Sequence, residues 1–70
     1  MKKQQVSSSD IRSIGYKADS NILEIEFLSG GIYKYFDVPK NIFREIMSAS
    51  SCGQYFHQYI KDNYNFKKIV

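Results

Sequence analysis

The sequence predicts an α+β fold: a small antiparallel β-meander of three to four strands, with two C-terminal helices packed on one face. Three observations carry this. Apolar residues alternate with period two from Ile22 to Leu28. They then recur at helical spacing, first in Ile42, Phe43, Ile46 and Met47 and again in Tyr55, Phe56, Tyr59 and Ile60. And 70 residues suffice for one domain only, too short for a Rossmann unit, a barrel or a two-lobed cleft.

Taken in order, residues 1–9 are polar and read as a flexible N-terminal arm, leaving 10–70 as the single domain. Ile11 to Tyr16 makes a first strand, with Ile14 and Tyr16 two apart. Ala18-Asp19-Ser20-Asn21 is a turn cluster. In the second strand Leu23, Ile25 and Phe27 share a face. Ile32 to Phe36 makes the third. A three-residue loop, Ser29-Gly30-Gly31, would pair Leu28 with Ile32, Phe27 with Tyr33 and Ile25 with Tyr35. That register gathers one apolar face and sets Glu26 opposite Lys34 on the other, with Gly31 in the left-handed position. A loop of two or four residues would mix the faces.

Asp37 is placed to cap the first helix, with Pro39 in its first turn, and the helix runs to about Ala49. Ser51-Cys52-Gly53-Gln54 fits a capping box, Ser51 as N-cap and Gln54 three residues on, opening a helix to about Asn63. Phe66 to Val70 can form a last edge strand.

Composition excludes several classes. Hydrophobic residues at 43% and charged residues at 24% describe an ordinary globule rather than a disordered tail. Aromatics at 16% are dense enough to compensate for the short chain, since each ring buries a large area. The net charge of +3 invites a nucleic-acid reading. Without Lys2, Lys3, Lys67 and Lys68, however, the balance turns to −1, so the basic character lies near the ends. One cysteine and one histidine offer neither an intrachain disulfide nor a zinc set. No apolar run reaches the roughly 20 residues of a membrane span, and the first residues lack the apolar core of a secretory signal. A cytoplasmic protein is expected, since a reducing compartment fits the single cysteine.

The order of features resembles the KTSC domain family. The resemblance rests on Ser8-Ser9-Asp10-Ile11, Ile14-Gly15-Tyr16, the stretch from Ser29 to Pro39 with its Tyr-x-Tyr-x-x-Val-Pro run, the stretch from Ala49 to Phe56, and the closing Ile60 to Tyr64. It spans roughly residues 8 to 65. Ser51 has the family spacing in the Ser-x-Gly-x-Tyr-Phe segment, although Ser50 precedes it. The resemblance implies a small domain found at the C-terminus of some lysyl-tRNA synthetases and as lone bacterial and prophage proteins, with RNA binding suggested by the synthetase connection.

No catalytic constellation emerges, so a binding protein is expected rather than an enzyme. Cys52 and His57 are five residues apart, about 140° around a helix, and cannot form a local dyad. Glu24 and Glu26 share a strand face that solvent and Lys34 satisfy. The leading expectation is capture of an anionic nucleotide-type ligand, with no cofactor or metal. Tyr33, Tyr35 and Tyr55 would supply rings, Ser51 and Gly53 the free N–H groups of a helix start, and Arg12 or Lys61 the positive charge. In a phage or prophage setting such a protein could sequester a host nucleotide signal. RNA binding and a protein-interaction role are the alternatives. A homo-oligomer is expected, because a short meander leaves edges open.

Overall fold

The computed structural model describes residues 3–5 and 10–69. Five strands lie side by side in chain order as an antiparallel sheet: β1 (Lys3–Gln5), β2 (Ile11–Lys17), β3 (Ile22–Phe27), β4 (Ile32–Tyr35) and β5 (Phe66–Lys68). The expected meander and last edge strand are present, so the α+β prediction holds. The segment expected as an arm contributes β1, which pairs with β2 along Ser13–Gly15; its other residues lie outside the described ones.

β2 carries a bulge. Ile11 pairs with Phe27 and Ser13 with Glu26, so Arg12 is the extra residue. Simple alternation would place Ile11 opposite in face to Ile14 and Tyr16; the extra residue returns it to the core. Both isoleucines are fully buried. At the β2–β3 turn the chain reverses with Asn21 at φ 54, a conformation asparagine tolerates well.

The β3–β4 register differs from the expected one by two residues. Ile25 pairs with Tyr33, Leu23 with Tyr35, and Glu24, not Glu26, with Lys34. The loop is Leu28-Ser29-Gly30: the Gly30 N–H donates to the Phe27 carbonyl at 2.9 Å, and the Phe27 N–H to the Gly31 carbonyl at 2.9 Å. Gly30, at φ 104, takes the left-handed position assigned to Gly31. Leu28 serves as a turn residue and is 49% exposed. A two-residue slip preserves faces, so the apolar side was right although the partners were not. Glu26 instead accepts a hydrogen bond from the Ser13 hydroxyl at 3.0 Å.

Helix α1 (Lys40–Ser48) starts at Pro39, with no side-chain cap. Asp37 does not cap it. Its φ of 58 turns the chain so that the following Val38 N–H donates to the Asn21 carbonyl at 2.9 Å. Helix α2 (Cys52–Tyr55) starts as expected: the Ser51 hydroxyl accepts from the Gln54 N–H at 3.2 Å. It runs on into a π-helical turn, Phe56–Ile60, where the Lys61 N–H reaches back five residues to the Phe56 carbonyl. The helix therefore ends at Ile60 rather than near Asn63, and Asp62 follows at φ 71.

Both helices cover one face of the sheet. Ile11, Ile14, Leu23, Ile25, Val38, Ile46 and Ile60 are fully buried between them. Cys52 joins this core, and its thiol donates to the Ile46 carbonyl at 3.2 Å. Burial pushes the thiol pKa up, which keeps it protonated and unreactive. Among the described residues no helix is long and apolar enough to cross a membrane.

Candidate functional site

Period-two alternation in β3 and β4 sends Phe27, Tyr33 and Tyr35 to the helix-covered face. At the β4–β5 side the helices do not fully cover it. Phe56, at the start of the π turn, wedges beneath the sheet with its centroid 5.3 Å from Phe27 and 5.4 Å from Tyr35, edge-on to both. Phe66, paired with Tyr35 across β4–β5, brings its ring to 5.5 Å from Tyr35 and 5.7 Å from Tyr33. Between these rings lies an open groove of about 350 Å³, with Ser29 at its hairpin end and His57, Lys61 and Asp62 at its helix end. That volume falls at the small end of ordinary ligand sites.

The rings are not equivalent. Tyr35 is almost wholly buried, and its pKa is pushed up to about 12, first by desolvation and then by the charges of Tyr33 and Asp62. Its hydroxyl stays protonated at any physiological pH. Tyr33 is half-buried, with the Lys68 ammonium 6.0 Å from its centroid. Phe66 is 56% exposed. The groove thus has a fixed floor, Tyr35 and Phe56, and an accessible wall, Tyr33 and Phe66. His57 approaches Asp10 at 3.4 Å on the outer side, where both are half exposed.

Of the seven residues singled out from sequence, the structure brings three together: Tyr33, Tyr35 and Lys61. Four lie outside the groove. Arg12 is exposed at the β2 bulge. Tyr55 donates its hydroxyl to Glu45 at 2.8 Å and meets the Tyr59 ring at a tilt, and it does not line the groove. Its pKa is also pushed up to about 12, by burial and by that hydrogen bond. Ser51 uses its hydroxyl on its own helix, and Gly53 is buried. The helix start expected to face an anion is turned into the core instead, because the stripe of α2 that must be buried begins with Cys52 and Gly53.

Sequence reasoning missed Phe27, Ser29, Phe56, Phe66, His57 and Asp62 as groove residues. Phe27 and Phe56 sit in apolar stripes that periodicity assigns to the core, and they are core as well as lining. Phe66 carried a usable signal: an aromatic in a three-residue edge strand has little to pack against except what lies beside it. Among the described residues no three His, Cys, Asp or Glu side chains gather as a metal set.

Fold and groove together define a small single-sheet domain with an aromatic hollow at one sheet edge. The chain belongs to the KTSC domain family, whose model matches residues 7–64. It is 43% identical to a KTSC domain protein from Yersinia pestis of known crystal structure, with a TM-score of 0.96 over 99% of this chain and 97% of that one. It is 39% identical to an uncharacterized protein of Stutzerimonas stutzeri over 99% of both chains. It is also 39% identical to part of a lysine–tRNA ligase of Nostoc, where the match covers 84% of this chain but 10% of the ligase.

Proposed function

We propose that this protein is a non-enzymatic binding module whose groove captures an anionic nucleotide-type ligand. One observation carries the reading: accessible rings, Tyr33 and Phe66, share a groove with the Lys61 cation. A base stacks on a ring face for about 1–3 kcal/mol, and an ammonium at the lip neutralises a phosphate. Asp62 offers an acceptor for a base amino group. The phosphate contact is assigned to Lys61, not to the start of α2, because Gly53 is buried. A second reading, RNA binding, is favoured by the tRNA ligase relative and by Lys67 and Lys68 on β5. The same groove would then take one unstacked base. The module is proposed to act inside the cell as a homo-oligomer, since a core of this size is thin.

The test is calorimetric titration of the full chain with a panel of ribonucleotides and with short single-stranded RNA. We expect saturable binding of nucleotides, weakened about tenfold or more by Tyr33→Ala and by Lys61→Ala. RNA binding that responds to the same variants, without free-nucleotide binding, selects the second reading. No heat from either ligand class at millimolar concentration overturns both.

A further inference from the structure

β5 ends the sheet, and its free side is specific in both backbone and charge. The Ile69 N–H donates to the Ile32 carbonyl at 2.7 Å, and the Phe36 N–H donates to the Asn65 carbonyl at 2.9 Å. In an antiparallel ladder such bonds alternate, so Asn65, Lys67 and Ile69 turn their backbone groups to β4. Phe66 and Lys68 therefore turn theirs outward, two residues of strand edge with no partner strand among the described residues. Such an edge is a template for another extended chain.

Charge selects the chain. On the sheet face away from the helices, the register sets Glu24, Lys34 and Lys67 in one row across β3, β4 and β5. Glu24 and Lys34 are opposite in sign, but Lys34 and Lys67 are alike, which costs stability in a directly opposed pair. A fourth strand residue beside Lys67 extends this row. A carboxylate there offsets the repulsion; a lysine worsens it. A second copy pairing through its own β5 in the register that uses both outward residues would set Lys67 against Lys67, giving four lysines in succession. Self-pairing in this register is thus opposed. On the opposite face, side chains of an added strand would lie beside Phe66 and Lys68, at the mouth of the groove.

We propose that the β5 edge is a docking site for an extended acidic peptide segment of another protein, which adds to the sheet as a further strand. Main-chain bonds to Phe66 and Lys68 supply the affinity, and a carboxylate facing Lys67 supplies the selectivity. This goes beyond nucleotide capture, because the partner needs neither base nor phosphate.

The probe is a short capped peptide alternating glutamate and valine, titrated into the full chain and followed by amide resonances and hydrogen exchange. The expected result is saturable shifts centred on β5, with new protection of the Phe66 and Lys68 amides. The same peptide with alternate N-methylated amides should lose binding. So should a peptide carrying lysine for glutamate. Lys67→Glu should weaken the acidic peptide about five- to tenfold. Lys68→Pro removes an outward N–H without removing a bond to β4 and should abolish binding, with retained Ile69 protection reporting an intact β5. Lys61→Ala should leave peptide binding unchanged, which separates this site from the nucleotide reading. Absence of saturable shifts, equal binding by Lys67→Glu, equal binding of the lysine peptide, or stronger protection of the same amides by single-stranded RNA would each overturn the proposal.

Discussion

Two ends of the same sheet use tyrosine differently. At the β2–β3 turn, Tyr16 is fully employed. Its ring stacks on Phe43 with centroids 5.0 Å apart and planes 11° from parallel. Its hydroxyl donates to the Val38 carbonyl at 2.7 Å, with the Asn21 side-chain oxygen at 3.1 Å. Three segments, the turn, the Val38–Pro39 stretch and α1, are thereby fastened together. At the β4–β5 end, Tyr33 meets Phe27 edge-on and Phe66 at a tilt, and both Tyr33 and Phe66 line an open hollow. A side chain with every valence satisfied has no capacity left for a ligand. One held in place by neighbours but left with an open face does. The contrast separates pillar from lining without reference to residue type.

The largest consequence concerns the pillar. Tyr16→Ala should cost about 3 kcal/mol, toward the lower part of the range for aromatic truncation because the ring is only half-buried. Tyr16→Phe should cost about 1–2 kcal/mol, since it leaves the Val38 carbonyl without its donor. Tyr33→Phe should change stability by less than about 0.5 kcal/mol. Denaturant unfolding of the three variants measures this. Equal losses for Tyr16→Phe and Tyr33→Phe would erase the distinction between the ends.

This asymmetry was only half legible in the sequence. Period-two alternation in β3 and β4 correctly put Leu23, Ile25, Phe27, Tyr33 and Tyr35 on one face, because faces survive any even slip. The register itself was not recoverable from two adjacent glycines: either can take a positive φ, and the choice of Gly30 over Gly31 moves every partner by two. The bulge at Arg12 was invisible for a related reason. Nothing local marks an extra residue; only the need to bury both Ile11 and Ile14 on one face does. The Ser51 cap was legible because it is a local hydrogen bond. Whether that helix start faced solvent or core depended on how α2 rolls against the sheet, which is a tertiary property. The groove likewise exists because β5 returns beside β4 after the π turn, and no short window contains both.

Alkaline pH sharpens the comparison from the floor of the groove. The Tyr35 hydroxyl has a folded-state pKa of about 12, raised by burial above an unfolded value near 10. The folded chain holds this proton more tightly than the unfolded chain. The associated stability is complete below pH 10 and drains as pH rises through about 12. In that window the loss is up to about 1.4 kcal/mol per pH unit for this group. Tyr16, also raised by burial, adds to it in the same direction. We expect Tyr35→Phe to flatten the alkaline fall in stability, and near-ultraviolet tyrosinate absorbance to lose a late-titrating component. An unchanged alkaline limb in Tyr35→Phe would place the burial elsewhere.

The smallest effect on stability belongs to the most exposed wall. Phe66 packs against Tyr33 and Tyr35 on one side only and is 56% exposed. Burial stabilises in proportion to the apolar area removed from water, so a ring that keeps more than half its surface wet contributes less than a core ring. Its backbone N–H and carbonyl point away from β4, and truncation of the side chain leaves the β4–β5 bonds at Asn65 and Ile69 in place. Phe66→Ala should therefore cost less than about 1 kcal/mol while opening the groove to water on one side. Tyr33 then loses its neighbour and gains rotational freedom, so a stacked base loses both a ring and the rigidity of the remaining one. Nucleotide titration should weaken far more than the unfolding midpoint moves. If Phe66→Ala instead destabilises the chain as much as Tyr16→Ala does, the ring is a pillar like Tyr16, and the open end of the sheet is held together in the same way as the closed one.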